Sequence, residues 1–378
     1  MSSIASARWM CDVLIVGGGP AGSSLAWALR ESGLKVILVD KSVFPRDKVC
    51  AGWITPSIVA ELKLDLADYG RGRVLQPISG FNVRRVGGPE KQVRYDNGPV
   101  SYGIRRCEFD HYLLERCGAD IRTDHSFQAM ERVGDHWIVD GSIKTPLVVG
   151  AGGHFCPVAR HLGARPGLNE VTVAAQETEF RMSPEQVQAC KVRGDVPELY
   201  FCDDLKGYGW IFRKGDYLNI GIGREDQHHL SRHVREFCLY LDSLGRLPPG
   251  ALEKFKGHAY LLYGHANRKV VDDGVLLIGD AAGLAFTRSG EGIRPAIESG
   301  LLAAQVIKMA NGVYSPANLE HYVERIFQRF GRRPTRSIID HLPVWLSLTL
   351  AGKLLSTRFF VRNLVIDRWF LHRHQLPL

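Results

Sequence analysis

The chain has 378 residues and a formal net charge of +8, and 45% of its residues are hydrophobic. This length favours two or three interlocked domains, and this composition is typical of a water-soluble protein. No run of about 18 apolar residues occurs, which argues against a transmembrane helix. No zinc module or aromatic–basic strand platform is visible, which argues against nucleic acid as a partner.

The cysteines and the first apolar run indicate a reduced compartment. None of the eight cysteines forms a Cys-x-x-Cys pair, so we predict no metal site. The first apolar run ends in glycines, as a buried strand does, and is not followed by the cleavage site of a secretory signal. We therefore expect a cytoplasmic protein.

The first predicted elements form a βαβ unit. Residues 11–16 and 35–40 are expected to form buried parallel strands, joined by a tight turn and a helix over residues 17–33. The turn reads Gly-Gly-Gly-Pro-Ala-Gly from Gly17 to Gly22, and an acid, Asp40, follows at the end of the second strand. This combination is the full fingerprint of a dinucleotide-binding site.

Each part of this fingerprint has a physical role. Gly17 permits the tight turn, Gly19 lets the backbone approach a pyrophosphate, and Gly22 lets the helix pack closely on the strand. The helix N-terminus attracts phosphate, and Asp40 can accept hydrogen bonds from ribose hydroxyls. The other cofactor contacts predicted in this part of the chain are Pro20, Ala21, Lys41 and Arg46.

Two segments that follow contain further candidates. Cys50, Ala51 and Gly52 put small residues in a loop, where Cys50 is either a thiol beside the substrate or cofactor, or a small packed hydrophobe. Arg106 precedes a predicted helix and could reach the cofactor phosphates or adenine. Arg105 in that role, or a solvated arginine, is the alternative.

Residues 171–223 are predicted to form a meander of long strands that is rich in aromatic residues near its end. The sequence Arg-Lys-Gly-Asp, residues 213–216, is interpreted as a hairpin turn. Strand alternation puts Tyr208, Trp210 and Phe212 on one face, which we assign to the substrate. We assign two other residues of this stretch, Ile211 and Lys214, to the opposite face.

A second nucleotide-type motif lies near residue 280. A buried strand ends in Gly279 and Asp280, and Asp280 can bind ribityl or ribose hydroxyls. The sequence GEGI then starts a long helix, whose N-terminus can stabilise negative charge on a cofactor ring. Gly290, Gly292 and Ile293 of this sequence are predicted cofactor contacts. An ordinary turn followed by a helix cap is the alternative interpretation.

The motifs alternate with strand-rich stretches, which predicts an α/β fold with a discontinuous organisation. We assign residues 1–70, 101–165 and 265–310 to a Rossmann-like dinucleotide-binding domain. A β-sheet-rich substrate domain is inserted at residues 71–100 and 166–264. Residues 311–378 are predicted to form a helical segment.

Most of the positive charge lies near the C-terminus. Residues 329–378 carry nine lysines and arginines against two acids, among apolar and aromatic residues at helical spacing. This pattern is typical of an interfacial helix on an anionic membrane, which would be the inner face of the cell membrane here. The other interpretation is a helix pair packed on the body of the protein, and opposite helix faces allow both.

Together these motifs resemble a known class of flavoproteins. GGGPAG, the acid after the second strand, PRDKVCAG, R-x-x-F-D, GAGG and GDAAG followed by GEGI resemble the para-hydroxybenzoate-hydroxylase-like flavoproteins. Within that group, KVCAG, GYGWIFRKGD and GEGI are most similar to the geranylgeranyl reductase family. The resemblance covers roughly residues 10–310.

The resemblance implies FAD as the cofactor, held by the two nucleotide motifs and Arg106. It implies hydride transfer from reduced FAD to C=C bonds of an isoprenoid or other long apolar substrate, with NAD(P)H as electron donor. Cys50 matches the family's cysteine near the flavin, and the aromatic strand is expected to wall the substrate. We therefore expect Cys50, Tyr208 and Trp210 to be catalytic, and Tyr208, Cys50 or a water to supply the required proton.

Four positions depart from the family pattern. Arg213 and Thr287 stand where the reductases have proline, Gly152 stands where many hydroxylases have aspartate, and Cys156 stands where serine is common. These departures leave a flavin monooxygenase acting on an aromatic or polyketide substrate as the alternative. A halogenase is disfavoured because Trp-x-Trp-x-Ile-Pro is absent. A flavin-bound scaffold without turnover is supported only by the basic C-terminal stretch.

Overall fold

The computed structural model describes residues 7–166, 170, 172–226, 229–251, 254–333 and 344–378. Its strands, β1 to β20 in chain order, are Trp9–Met10, Val13–Val16, Val36–Val39, Trp53–Ile54, Leu75–Ile78, Gly80–Arg85, Lys91–Arg94, Ser101–Ile104, Asp120–Arg122, Met130–Val133, His136–Val139, Ile143–Thr145, Leu147–Gly150, Thr172–Arg181, Glu198–Phe201, Gly207–Lys214, Tyr217–Arg224, Lys256–Leu261, Val271–Asp272 and Val275–Leu277. Its helices, α1 to α11, are Pro20–Leu29, Pro56–Glu61, Leu66–Tyr69, Arg106–Glu115, Pro157–His161, Pro184–Ala189, Leu230–Ser243, Ile293–Ala310, Pro316–Phe330, Val344–Leu355 and Arg358–Phe360. A π-helix, Val361–Phe370, follows α11.

A six-stranded sheet, in the order β19-β20-β13-β2-β3-β9, organises the nucleotide-type motifs. Its strands run parallel from β20 to β9, and only β19 is antiparallel. β2, β3 and β13 are apolar and completely buried, as expected for parallel strands covered on both faces. The carboxyl ends of parallel strands meet at one edge, which brings the loops after β2, β3, β13 and β20 to the same side.

A second large sheet has the order β18-β14-β17-β16-β15-β6-β7 and is mostly antiparallel. On one of its faces lies α7, whose Phe237 contacts Tyr200 of β15 at a ring distance of 5.4 Å. Ile211 of β16 belongs to the same buried cluster. Two smaller sheets, β4-β8-β5 and β1-β12-β11-β10, complete the strand structure of the described residues.

The chain divides into two compact units, and both are discontinuous. The first contains residues 1–46, 109–171 and 260–333, and the second contains residues 47–108, 172–259 and 334–378. The α/β fold class is confirmed. The boundaries differ from the predicted domains, because residues 47–70 and 101–108 belong to the second unit and residues 311–333 to the first.

Local contacts explain where the boundaries differ. β4 and β5 both pair with β8, so the loop after the second predicted strand joins the strands of the second unit. The backbone N–H of Ile104 donates to the carbonyl of Gly52 at 2.9 Å, which ties the Cys50 loop to β8. α9 packs on α8 and β19 in the first unit.

The β16–β17 hairpin corrects two expectations. β16 continues through Lys214, which pairs with Tyr217, so the turn is Gly215-Asp216 and not the four residues from Arg213. Alternation then places Lys214 on the same face as Trp210 and Phe212, and its assignment to the opposite face was wrong. The assignment of Ile211 to that opposite face is correct.

The predicted C-terminal helical segment contains α9, α10, α11 and the π-helix, and residues 334–343 lie outside the described residues. Val361, Val365, Ile366 and Phe370 of the π-helix are fully buried, whereas Phe359 of α11 is 80% exposed. In the part of the chain that the structure describes, no helix combines the length and apolarity needed to cross a membrane.

Candidate functional site

In the turn after β2, neighbouring backbone occupies the space where side chains would otherwise lie. A Cβ on Gly17, whose φ is +120°, would lie 2.5 Å from the carbonyl carbon of Ala151. A Cβ on Gly22 would lie 1.9 Å from the carbonyl oxygen of Gly17. Both distances are far below contact, so these two glycines are required by the close approach of β2, β13 and α1.

Gly19 differs from these two glycines. Its φ of −73° suits any residue, and a Cβ there would meet only the Arg46 guanidinium, at 3.5 Å. The space beside Gly19 is therefore open, at the N-terminus of α1, where backbone N–H groups and the helix dipole favour phosphate. The fold itself does not require glycine at position 19. Glycine there is instead explained by a ligand, such as a pyrophosphate, that approaches the backbone closely.

Asp40, at the end of β3, is held beside this turn. Its carboxylate accepts hydrogen bonds from the backbone N–H groups of Gly18 and Ser42, each at 2.8 Å. Asp40 is 9% exposed, and each carboxylate oxygen keeps a lone pair for another donor. The position and remaining capacity of Asp40 suit a ribose.

The loop after β20 converges on the same edge of the sheet. Gly279 has φ +60°, and a Cβ there would lie 3.0 Å from the side chain of Ala21 in α1. Asp280 follows, and its carboxylate lies 3.2 Å from the position of a Cβ on Gly292. Gly292 precedes Ile293, the first residue of α8. We call Gly17–Gly22, Asp40 and Gly279–Asp280 the nucleotide cradle.

Arg268 stabilises this loop, and sequence reasoning missed it. Its buried guanidinium donates to the carbonyl oxygens of Ala281 at 2.9 Å and His154 at 3.1 Å. Glu170 completes its coordination with a two-oxygen ion pair. Arg268 thus ties the loop after β20 to the loop after β13, and nothing in the sequence around it signals this role.

The remaining candidates of the first unit have structural explanations as well. Lys41 is exposed, and Arg46 forms an ion pair with the buried Asp110 at 3.4 Å. A Cβ on Gly290, whose φ is +68°, would lie 2.5 Å from the hydroxyl of Tyr260. Thr287, one of the departures from the family pattern, accepts a hydrogen bond from the N–H of Gly264 at 2.9 Å.

Other predicted cofactor contacts, Cys50–Gly52 and Arg106, lie in the second unit. Arg106 is 9% exposed and begins α4. Its alternative, Arg105, is engaged within the second unit: it pairs with Glu108 and Glu179 and stacks over Tyr217.

The second unit contains a continuous set of packed aromatic rings on the face of the large sheet opposite α7. Trp53 stacks on Phe212 with ring centroids 5.1 Å apart, and Phe370 contacts both Trp53 and Tyr208 at 5.7 and 5.3 Å. Tyr208 in turn contacts Trp210 at 6.0 Å. We call this set the aromatic wall: Trp53, Phe81, Tyr208, Trp210, Phe212 and Phe370.

Asn219 of β17 links this wall to the Cys50 loop. Its side-chain oxygen accepts the indole N–H of Trp210 at 2.7 Å, and its amide donates to the carbonyl of Cys50 at 3.2 Å. The same amide donates to the carboxylate of Glu177 at 3.1 Å. The structure therefore brings Cys50 and Trp210, two of the predicted catalytic residues, into one hydrogen-bonded group.

Two glutamates of β14 in this group have opposite electrostatic environments. Burial raises the pKa of Glu177 to about 7, against hydrogen bonds from Cys50 and Asn219 and the charge of Lys214. Burial would also raise the pKa of Glu179, but Lys214 at 2.7 Å and Arg105 outweigh it and lower that pKa. We call Glu177, Glu179, Lys214 and Asn219 the carboxylate cluster.

Sequence reasoning missed the carboxylate cluster, although part of it had a signal. Two glutamates two positions apart inside an otherwise strand-like stretch share a face, which is unusual for a buried strand. Asn219 and Lys214 lie in the same stretch as the aromatic residues that were assigned to the substrate. Their hydrogen-bond partners are on other strands, so their roles depend on how β14, β16 and β17 pair, which the sequence does not show.

Comparisons with known proteins agree with this arrangement. A family model described as FAD-dependent oxidoreductase matches residues 12–87. The chain is 32% identical over 324 residues to a menaquinone reductase of Mycobacterium tuberculosis, covering 78% of this chain and 76% of that protein. It is 28% identical over 337 residues to a digeranylgeranylglycerophospholipid reductase of Methanocaldococcus jannaschii, covering 83% and 81%.

The fold has known counterparts too. A crystal structure of a geranylgeranyl bacteriochlorophyll reductase-like protein from Thermoplasma acidophilum superposes with a TM-score of 0.73. It covers 97% of this chain and 98% of that chain at 21% identity, which establishes the fold.

Proposed function

The chain belongs to the geranylgeranyl reductase family of FAD-dependent oxidoreductases, and we propose that it reduces C=C bonds in the polyprenyl chain of a lipid-like substrate. FAD, when bound and reduced, supplies a hydride from its N5 position. The nucleotide cradle fits this cofactor, because it leaves space beside Gly19 for a pyrophosphate and holds Asp40 where a ribose would lie. Gly279 and Asp280 are assigned to the rest of the dinucleotide.

The aromatic wall is the observation that carries the proposal. Trp210 is 5% exposed and Phe212 is 1% exposed, and their face of the sheet carries further aromatic rings beside the carboxylate cluster. Such a surface is suited to an apolar chain and keeps water from the reacting carbons. The buried indole N–H of Trp53 has no acceptor among the described residues, so it is available to a polar atom of a ligand.

Chemistry and relatives together support the proposed substrate class. The relatives above are named as reductases of menaquinone and of digeranylgeranylglycerophospholipid, both of which carry polyprenyl chains. We propose the same class for this chain, with NAD(P)H as the electron donor, Cys50, Tyr208 and Trp210 beside the reacting bond, and Phe212 as a substrate contact. Arg106 is assigned to the cofactor.

One experiment separates this function from the monooxygenase alternative. The holoenzyme is reduced in the absence of oxygen and mixed with geranylgeranyl diphosphate or a menaquinone, while flavin absorbance is followed. We expect reoxidation with formation of a more saturated product. If reoxidation waits for oxygen and the product is hydroxylated, the proposed function is wrong and the monooxygenase is supported.

We also propose that the α10–α11 region contacts an anionic membrane surface, where a lipid-like substrate would be found. Phe359 is 80% exposed and Leu350 is 49% exposed, and Lys353 and Arg358 lie near them in sequence. Basic and apolar groups together favour such a surface. Phe359→Asp should weaken sedimentation with phosphatidylserine vesicles while flavin content stays unchanged. Equal sedimentation of the variant and the wild type would refute the contact.

A further inference from the structure

Reduction of a double bond needs a proton as well as a hydride, and the sequence identified no clear acid. Glu177 lies in the carboxylate cluster on β14, and one strand, β17, separates β14 from β16, which carries Trp210. In the register of the sheet, Trp210 pairs with Gly221 and Gly221 pairs with Glu177, so the three residues form one row across β16, β17 and β14. Alternation puts their side-chain positions on the face of the aromatic wall.

Gly221 allows the side chains of Trp210 and Glu177 to approach each other, because it has no side chain between them. A Cβ on Gly221 would lie 2.3 Å from the Trp210 ring and 2.9 Å from the Cβ of Glu177. The indole therefore lies across the position of the missing side chain and reaches the neighbourhood of Glu177. The carboxyl group is thus part of the wall surface and is held there by Asn219 at 3.1 Å.

The cations that face Glu177 are paired with other residues. Glu179 lies on its own strand, Lys214 on β16 and Lys256 on β18, and each is within electrostatic range. Lys214 is committed to Glu179 at 2.7 Å, and Lys256 is paired with Asp47. Among the described residues Glu177 itself forms no ion pair. Burial without a dedicated cation favours the neutral carboxylic acid.

We propose that Glu177 is the acid that protonates the second carbon of the reduced double bond. This inference rests on the proposed function. One alkene carbon accepts the hydride and the other accepts the carboxyl proton, so the π bond is replaced by two C–H bonds. Glu177 is left as a carboxylate and regains a proton from water before the next turnover. An acid whose pKa lies near the working pH is best suited to such a step.

A structural role for Glu177 predicts a different outcome for one substitution. Glu177→Gln keeps an oxygen that accepts from Asn219 and from the Cys50 loop, but it has no acidic proton. Glu177→Asp keeps the acid and withdraws it by one methylene. Glu198→Gln is the matched control, because Glu198 is also buried with a raised pKa but pairs with Arg246 on the α7 side of the same sheet.

The test measures flavin reoxidation by geranylgeranyl diphosphate in a single anaerobic turnover between pH 5 and 9. We expect the wild-type rate to fall above about pH 7, the Gln variant to be slower by about 100-fold or more without that fall, and the Asp variant to keep the fall. The Glu198→Gln control should keep the wild-type profile. An unchanged visible flavin spectrum checks that each variant binds FAD.

A second measurement does not depend on turnover. Infrared difference spectra of the holoenzyme between pH 5 and 9 should show a protonated carboxyl band that titrates near pH 7 in the wild type and in Glu198→Gln and is absent in Glu177→Gln. If the Gln variant keeps the band, or reduces the substrate within tenfold of wild type, the role of Glu177 is refuted and the proposed function stands. If the wild type reduces no polyprenyl compound, the proposed function fails and this role fails with it.

Discussion

The nucleotide cradle is formed mainly by backbone groups, whereas the aromatic wall is formed by side chains. The cradle is made of glycines and backbone groups, and its tightest contacts, Gly17 on Ala151 and Gly22 on Gly17, lie at the edge of a parallel sheet. The wall is made of large side chains, and Asn219 ties one of them, Trp210, to the Cys50 loop. Under the proposed function, backbone geometry would bind a cofactor that is the same in many proteins, whereas side chains would shape a site for one substrate class.

The cradle provides the sharpest test of this contrast, because two of its glycines differ in purpose. Gly19→Val should fold and purify without flavin, since its side chain enters open space that the cofactor needs. Gly22→Val should fail to fold stably, since a Cβ there lies 1.9 Å from a backbone oxygen. Flavin absorbance and circular dichroism of the two variants provide the measurement. A yellow Gly19→Val protein would show that the cradle is misinterpreted.

The wall provides a second test through the pH dependence of unfolding. The folded pKa of Glu177, about 7, is above its ordinary value of 4.5. Below pH 4.5 the carboxyl is protonated in both states, so its contribution to stability is fully present. As pH rises through 7 that contribution is lost, by roughly 3 kcal/mol for a shift of this size. Glu177→Gln should therefore gain stability over wild type at pH 8 and not at pH 4.5.

Glu179 is the matched control for that measurement, because its pKa is shifted downward by Lys214 and Arg105. A group with a lowered pKa stabilises the fold above its ordinary value and stops doing so as pH falls. Glu179→Gln should therefore lose stability relative to wild type at pH 8. Urea unfolding of both variants at the two pH values measures the difference. Parallel pH profiles for the two variants would contradict the opposite environments.

A smaller effect on the free energy of unfolding is expected from loss of the Asn219 side-chain amide, which bonds to the wall. Asn219→Ala leaves the buried indole N–H of Trp210 without its acceptor and should cost about 1–3 kcal/mol of unfolding free energy. Asn363→Ala, at an exposed position of the π-helix, should change stability by less than about 0.5 kcal/mol. Denaturant titration followed by tryptophan fluorescence compares the two. Equal small effects would mean that Asn219 does not support the wall.

The cradle could be predicted because its residues are close in sequence and act through the backbone. The spacing from Gly17 to Gly22, followed by Asp40, indicates a tight turn, a helix start and a strand end without any long-range information. The strands β2, β3, β13 and β20 were recognisable as short apolar runs that end in glycine or an acid. The fold class followed from their alternation with helices.

The wall could be predicted only in part, because its members come from distant strands. Tyr208, Trp210 and Phe212 followed from alternation within one strand, but Trp53 and Phe370 join them through tertiary packing alone. Lys214 was placed on the wrong face because the turn was expected to begin at Arg213. β16 continues for two residues beyond Phe212, so alternation holds through Lys214 and puts it on the face of Phe212.

The make-up of the aromatic wall also has a consequence for the time course of folding. Trp53 enters the chain early, Phe212 in the middle and Phe370 late, yet all three rings meet in one buried cluster. Contacts so far apart in sequence form slowly. A nascent chain that has been synthesised only as far as β17 therefore exposes the aromatic rings that Phe370 later covers. Such a surface favours chaperone binding or aggregation until the π-helix closes over it.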